Sequence, residues 1–246
     1  MLDGFVKNAL RALLPQKALS AVKKVNDTLF DGTAIKSYSQ QGEDMILRNI
    51  FEGQEKGFYV DVGAHHPKRF SNTYLFYKMG WRGINIDAMP GGMKIFNKIR
   101  SGDVNLEVAI SSKKETLTYY VFDEPALNGF SKDLSEERIK KGNHQIVAKV
   151  DLETSTLEEI LDGYLPEGQE IDFLSVDVEG FDLRVLQSNN WEKYRPKFIL
   201  VESLEFDMEK MEEDGIYKYT RTKGYSLYAK AVTTLIFKRN SIQALF

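Results

Sequence analysis

Short apolar runs alternate with segments of helical periodicity along most of this chain, and that alternation leaves few folds open. Residues 42–51 read as a helix, 58–62 as an apolar strand, 72–79 as a short helix and 83–87 as a second strand. Residues 91–100 then read as helix and 105–110 as a third strand. Strands that take turns with helices predict a parallel sheet with helices on both faces. The middle is less regular. Residues 116–122 alternate like an antiparallel strand, 125–130 read as a loop, 133–141 as a charged helix and 145–152 as another strand. Residues 156–161 read as a helix started by Ser155 or Thr154. A buried strand at 172–176, a helix at 181–187, a buried strand at 197–201 and a long charged helix at 206–222 follow. The end, 225–229 and 233–237, reads as two tightly joined and hence antiparallel strands.

Composition narrows the function classes. The net charge of −3 supplies no basic field for nucleic acid. The absence of cysteine excludes disulfides, a cysteine zinc site and a cysteine nucleophile. It fits a reducing, cytoplasmic setting. No apolar stretch reaches the ~18 residues of a membrane span. Residues 1–35 read as a separate helical arm before a domain at 36–246. Leu2, Phe5, Val6, Leu10, Leu13 and Leu14 fall near helical spacing, Pro15 interrupts, and Ala18, Leu19, Val22 and Val25 resume. Up to Asn26 the arm carries five bases against the single acid Asp3. It reads first as an arm packed on its own domain or on a homodimer partner. A basic amphipathic helix of this kind also suits the anionic inner face of a membrane.

The strongest local signal is Phe58-Tyr-Val-Asp-Val-Gly-Ala-His-His-Pro67. An apolar strand runs into Asp61 and then a Gly63-Ala64 turn, where only small residues let a ligand approach the backbone. A second acid, Asp87, ends the next strand, at the spacing from which a carboxylate accepts from ribose hydroxyls. The loop lacks the G-x-G-x-x-G pattern that cradles a pyrophosphate. A nucleoside without phosphates fits better than a dinucleotide. S-adenosylmethionine is such a molecule, and its positive sulfonium and amino group suit a nearby acid.

These segments resemble the FkbM family of methyltransferases. The resemblance begins at Ser39-Gln-Gln-Gly-Glu-Asp44. It continues through the strand-and-turn motif, Phe70-Ser-Asn-Thr-Tyr74 and Gly80-Trp-Arg-Gly-Ile-Asn-Ile-Asp87. It resumes at Pro125-Ala-Leu-Asn128, Asp172-Phe-Leu-Ser-Val-Asp-Val-Glu-Gly180 and Phe198-Ile-Leu-Val-Glu202. It implies an α/β, Rossmann-like class I methyltransferase fold: a mostly parallel seven-stranded sheet with a C-terminal antiparallel hairpin. It also implies S-adenosylmethionine as methyl donor and a hydroxyl acceptor on a sugar, surface glycan or secondary metabolite. Carried over, Asp61, Gly63 and Ala64 would form the donor turn and Asp87 would bind the ribose. Ser71 and Asn72 would hold the donor's amino-acid end, and the segment Ala109-Ile-Ser111 would face the adenine.

An alcohol needs a base to take its proton, or a metal that lowers its pKa. Asp177 and Glu179 end one strand and point roughly the same way if the strand continues. Two close carboxylates can share a proton and raise one pKa. Asp177 is therefore the first candidate base, with Glu179 as its partner or a substrate anchor. His65 and His66 are further candidates at the first strand's end, whereas His144 reads as surface. Asp177 and Glu202 together could offer oxygen ligands to magnesium. Lys68, Arg69 and Arg82 could meet a phosphate or acidic sugar but read first as a solvated face, and Trp81, Trp191 and Tyr194 read as packing rather than sugar-stacking platforms. Residues 123–145 look like an insertion covering the crevice, where acceptor selection would reside. Two rivals are weighed against an enzyme of this kind. A nicotinamide oxidoreductase lacks its glycine fingerprint here. A catalytically silent nucleoside- or glycan-binding module would be expected to have lost Asp61, Gly63, Asp87, Asp177 or Glu179, and all are present.

Overall fold

The structure, a computed structural model, describes residues 15–29 and 33–241. The first half of the arm, 1–14, lies outside the described residues. The chain divides into two compact units, 1–37 and 38–246. In the first, helix α1 spans Gln16–Leu29 and begins directly after Pro15.

The second unit is built on a seven-stranded sheet. Helix α2 (Glu43–Ile50) leads into β1 (Phe58–Val62), α3 (Tyr74–Met79), β2 (Arg82–Asp87), α4 (Met93–Ile99) and β3 (Val104–Glu107). After a smaller sheet come β7 (Phe173–Val176), α7 (Asp182–Gln187), β8 (Phe198–Glu202), α8 (Gly215–Thr222), β9 (Tyr225–Ala231) and β10 (Thr234–Arg239). The order is β3-β2-β1-β7-β8-β10-β9, parallel except for β10, which runs antiparallel to both neighbours. This is the sheet that the resemblance implies. The direction of winding reverses between β1 and β7, and a crevice opens there beyond the carboxyl ends of the strands.

Period-two alternation divides the core between the sheet's two faces. Val60, Val62, Leu174, Val176, Ile199 and Val201 face one side with Leu157, Leu161, Val185 and Leu186. Tyr59, Phe173, Leu200 and Ile236 face the other with Leu47, Phe76 and Trp81. Strands buried on both faces read as nearly continuous apolar runs, here interrupted by the buried Asp61, Asn85 and Ser175. Trp191 and Tyr194 are also buried.

The smaller sheet joins β4 (Ala109–Ile110), β5 (Thr116–Phe122) and β6 (Ile146–Ser155) in the order β4-β6-β5. It corrects three expectations. The run 105–110 is two strands, because Val108 donates to the Asp87 carbonyl and the chain then leaves β3 for β6. Strand β6 continues to Ser155, so the following helix α6 (Leu157–Tyr164) is capped by Thr156, whose Oγ accepts from the Glu159 amide at 3.2 Å. The long helix expected over 206–222 is confined to α8. The Asp214 side chain caps it by accepting from Tyr217 at 2.6 Å, and upstream the chain makes turns and a short 3-10 segment, Met211–Glu213. An aspartate at the N-cap favours a helix start at this point.

One buried charge organises the β1-β2-β3 half. The Arg100 side chain is wholly enclosed and donates to Asp103 Oδ2 (2.9 Å), Thr73 Oγ1 (2.9 Å) and the Tyr59 hydroxyl (2.8 Å). Tyr59 and Asn85 donate in turn to Asp103, and Thr73 donates to Asp61 at 2.7 Å. Replacing Arg100 by Met would strand the Asp103 carboxylate without its cation. Breaking a buried pair this way costs about 3–5 kcal/mol. Thermal unfolding of Arg100→Met is expected roughly 10 °C below the wild type, and a shift under 2 °C would show that the network is dispensable.

Candidate active site

The crevice begins with a turn that no side chain could occupy. Gly63 has φ +84°, and a Cβ there would stand 1.7 Å from the Asp177 carbonyl oxygen. Its amide and that of Ala64 both donate to the Ile86 carbonyl, at 2.9 and 3.0 Å, which bends the chain from β1 across the end of β2. His65 follows with φ +50° and donates its amide to Asp87 Oδ2 at 2.8 Å. The other oxygen, Oδ1, accepts from the Met89 amide at 2.8 Å. Asp87 thus fixes the loops after both strands while its carboxylate lines the crevice. Burial raises its pKa, and the two amides oppose that rise.

The crevice holds about 270 Å³. Val62 and Gly63 form part of its wall at the strand end; Met89, Ile110 and Val108, whose amide donates to the Asp87 carbonyl, supply apolar surface. Tyr119, Asn128 and Phe130 form the cover. Tyr119 and Phe130 pack with ring centroids 4.8 Å apart. Asn128 accepts from the Phe122 amide at 2.8 Å, and Gly129 bridges Tyr120, so the cover is tied to β5 from its first residues. What was expected to be plain loop at 125–130 holds a short 3-10 turn, Pro125–Leu127. Helix α5 (Lys132–Lys140) completes the segment, capped by Ser131, whose Oγ accepts from Leu134 at 3.3 Å.

The ends of β7 and β8 carry the acids. Oxygens of Asp177, Glu179 and Glu202 lie within 4.8 Å of one another. That spacing suits a shared proton as well as a divalent cation. Asp177 lines the crevice and is exposed there, although protein atoms crowd round its carboxylate. Burial, with Glu202 and Glu179 beside it, raises its pKa well above the usual carboxylate range. Burial pushes Glu202 up to about 8, with Glu179 and Asp182 adding to the rise. Glu202 Oε2 is buried with no hydrogen-bond partner, while Oε1 accepts from Thr233 Oγ1 at 3.4 Å. Burial also raises Glu179, but its ion pair with Arg138 of α5 opposes the shift. Arg138 further donates to the Leu127 carbonyl at 2.8 Å and so joins the cover to the acids. Glu179 itself sits at φ +54°, held there because Asp182 accepts from the amides of Val178 (3.1 Å) and Gly180 (3.0 Å).

The crevice brings together Gly63, His65, His66, Asp87, Asp177 and Glu179. It does not include Asp61, Ala64, Ser71, Asn72 or Ala109 in its walls. Asp61 alternates with Val62 and therefore points to the opposite face, into the Arg100 network. Ser71 joins that network, and Asn72 donates to Ser175 at 3.1 Å. Ala64 packs with Met93 and Phe96. Ala109 packs beneath Tyr119 and Phe130, while its neighbours Val108 and Ile110 face the cavity. His66 Nδ1 accepts from the amides of Lys68 and Arg69 and so shapes the loop. His65 Nε2 is buried without a partner, and burial lowers the ring's pKa, which favours neutral imidazole. Arg69 at the mouth pairs with Glu124 at 3.0 Å. Sequence reasoning missed Arg138, Asp182 and Tyr119. Asp182 was detectable as an acid in a helix's first turn, but the partner of Arg138 lies 41 positions away in the chain.

No curated protein matches the chain. Among solved structures, it is similar to a protein assigned as a type 11 methyltransferase from Sulfolobus solfataricus, with a TM-score of 0.40 and 13% identity over 85% of this chain and 98% of that one. It is similar to a TehB-like SAM-dependent methyltransferase from Corynebacterium glutamicum, with a TM-score of 0.38 and 10% identity over 92% and 100%. A protein assigned as an O-methyltransferase from Klebsiella pneumoniae gives a TM-score of 0.40 and 8% identity over 96% of both chains. These overlays are loose, and the strand order rather than they carries the fold. The family model described as the methyltransferase FkbM domain matches residues 61–227, which span the crevice from its first strand to the terminal hairpin. The chain belongs to the FkbM methyltransferase family.

Proposed function

We propose that this methyltransferase takes its methyl group from S-adenosylmethionine and delivers it to a hydroxyl, with Asp177 as the base. The observation that carries the reading is one crevice with two unlike ends: a backbone-anchored Asp87, and a carboxylate cluster whose pKa values are raised.

The residues fit a nucleoside that bears no phosphate. Each Asp87 oxygen accepts one backbone amide and retains acceptor capacity for a ribose hydroxyl. Val108, Ile110 and Met89 offer the apolar surface that an adenine ring buries. Asp177 and Glu179 would repel a phosphate and favour a cation. When bound, S-adenosylmethionine supplies a methyl group on a sulfonium that leaves without being protonated.

The chain's own part is to position the acceptor and remove its proton. Asp177, poised by burial and by its acidic neighbours, takes the hydroxyl proton. Glu179, held by Arg138, anchors the acceptor beside it, and neutral His65 offers Nε2 as a further hydrogen-bonding position. The cover at 123–145 shapes what can enter. The family resemblance supports a sugar, surface glycan or secondary metabolite as acceptor.

Calorimetric titration tests the donor. Saturable binding of S-adenosylmethionine is expected, weakened at least tenfold in Asp87→Asn, with no binding of NAD. Absence of donor binding, with or without magnesium, would remove the assignment. With an acceptor in hand, Asp177→Asn is expected to lose at least 100-fold in kcat while donor affinity stays within twofold; undiminished turnover would exclude Asp177 as base.

The raised pKa at Glu202 can be read without an acceptor. Between the unfolded value of about 4.3 and the folded value of about 8, the native state retains a proton that the unfolded chain has released. Stability therefore falls as pH rises through that window, and the full cost is present above it. Glu202→Gln is expected to raise the unfolding temperature by several degrees at pH 9 and to leave it unchanged at pH 4. A pH-independent difference would mean that Glu202 titrates normally.

A further inference from the structure

We propose that helix α1 docks on a lipid bilayer with anionic headgroups. Nothing in the methyltransferase site requires this helix, and the proposal is independent of donor and acceptor.

The helix has 14 residues and so runs about 21 Å. At roughly 100° per residue, Ala18, Val22, Val25 and Leu29 fall within about 60° of arc on one face. Leu19 and Ala21 border that stripe. Val22 and Val25 are 50% exposed and Leu29 is 69% exposed, while Ala18 and Leu19 are half-buried. Lys17 and Lys24 are exposed on one flank of the stripe, at the level from which a long basic side chain reaches headgroups while its stem lies along the apolar boundary. Asp27, the helix's one acid, falls on the side away from the stripe.

Charge decides between possible occupants. The whole chain is net negative, yet its first 26 residues hold five bases and one acid. A second copy of this helix would bring like charges together. An anionic bilayer offers the complementary charge and an apolar layer of the right depth, and each base near such a surface adds to the attraction. The placement would hold the enzyme close to acceptors made or carried at a membrane.

The test is co-sedimentation of the full chain with vesicles of phosphatidylcholine containing 30% phosphatidylglycerol, and with phosphatidylcholine alone. Binding to the anionic vesicles is expected, at least fivefold weaker on the neutral ones and weakened again in 0.5 M salt. Val22→Gln with Val25→Gln retains helix formers but removes the apolar face. Lys17→Glu with Lys24→Glu reverses the flank. Each pair is expected to lower vesicle affinity at least fivefold without changing the thermal unfolding of the second unit. No sedimentation of the wild type would overturn the proposal, as would equal binding by the apolar-face variant. Sedimentation velocity supplies a third arm: a dimer abolished by the Val22/Val25 variant, with no vesicle binding, would assign the face to a second copy instead.

Discussion

A guanidinium sealed inside the β1-β2-β3 half of the sheet constrains more of this molecule than any ligand-facing residue. A buried charge without partners is prohibitive, so Arg100 must collect acceptors from every element around it. It draws on Tyr59 of β1, Asp103 in the turn before β3, and Thr73 at the start of α3. Through Thr73 the network extends to Asp61, one residue before Val62 reaches the crevice wall. The loop that lines the crevice is thereby hung from a rigid polar core, and the Gly63 turn inherits its position from side chains on the opposite face of the sheet.

That division of labour explains what could be read from the sequence. The alternation of strands and helices follows from periodicity, so the sheet and its terminal hairpin were legible. Asp87 was legible because spacing from a glycine turn carries geometric meaning. Asp61 stands in the same motif, but which face it serves depends on strand parity together with the location of Arg100, 39 positions further on, and the motif conveys neither. Ser71 and Asn72 share that fate. The helix expected over 206–222 failed for a related reason: charged residues satisfy helical and turn conformations equally, and only the Asp214 cap with Gly215 distinguishes them. Arg138 is the clearest case. Nothing local marks it among the lysines and glutamates of its helix, and its role appears only when the cover folds over Glu179.

The crevice also gathers conformations that a stable fold would avoid. His65, Phe70 and Glu179 all have positive φ, and all three line it. Outside glycine such backbones cost of order 1–3 kcal/mol each. They persist where surrounding bonds over-determine them, and here those bonds are identifiable. Asp87 holds the His65 amide, and Asp182 holds the amides on either side of Glu179. The two ends of the crevice therefore repeat one device, a buried carboxylate that spends its acceptors on backbone N–H groups to force a neighbouring side chain outward.

The same device accounts for the electrostatics. Asp182 is itself pushed up to about 7 by burial, even with its amide donors. It adds to the field that raises Asp177 and Glu202. Arg138 opposes that field from the cover rather than from the sheet, and the Thr233 hydroxyl lowers the Glu202 pKa by its hydrogen bond. The proton affinity of the cluster is thus coupled to the seating of the segment at 123–145. If that segment shifts, Glu179 loses its cation and the cluster binds protons more tightly; when it is seated, Arg138 opposes the rise in the Glu179 pKa. A cover that both selects the acceptor and tunes the neighbouring base would make proton removal depend on correct closure, and that coupling follows from the position of one arginine.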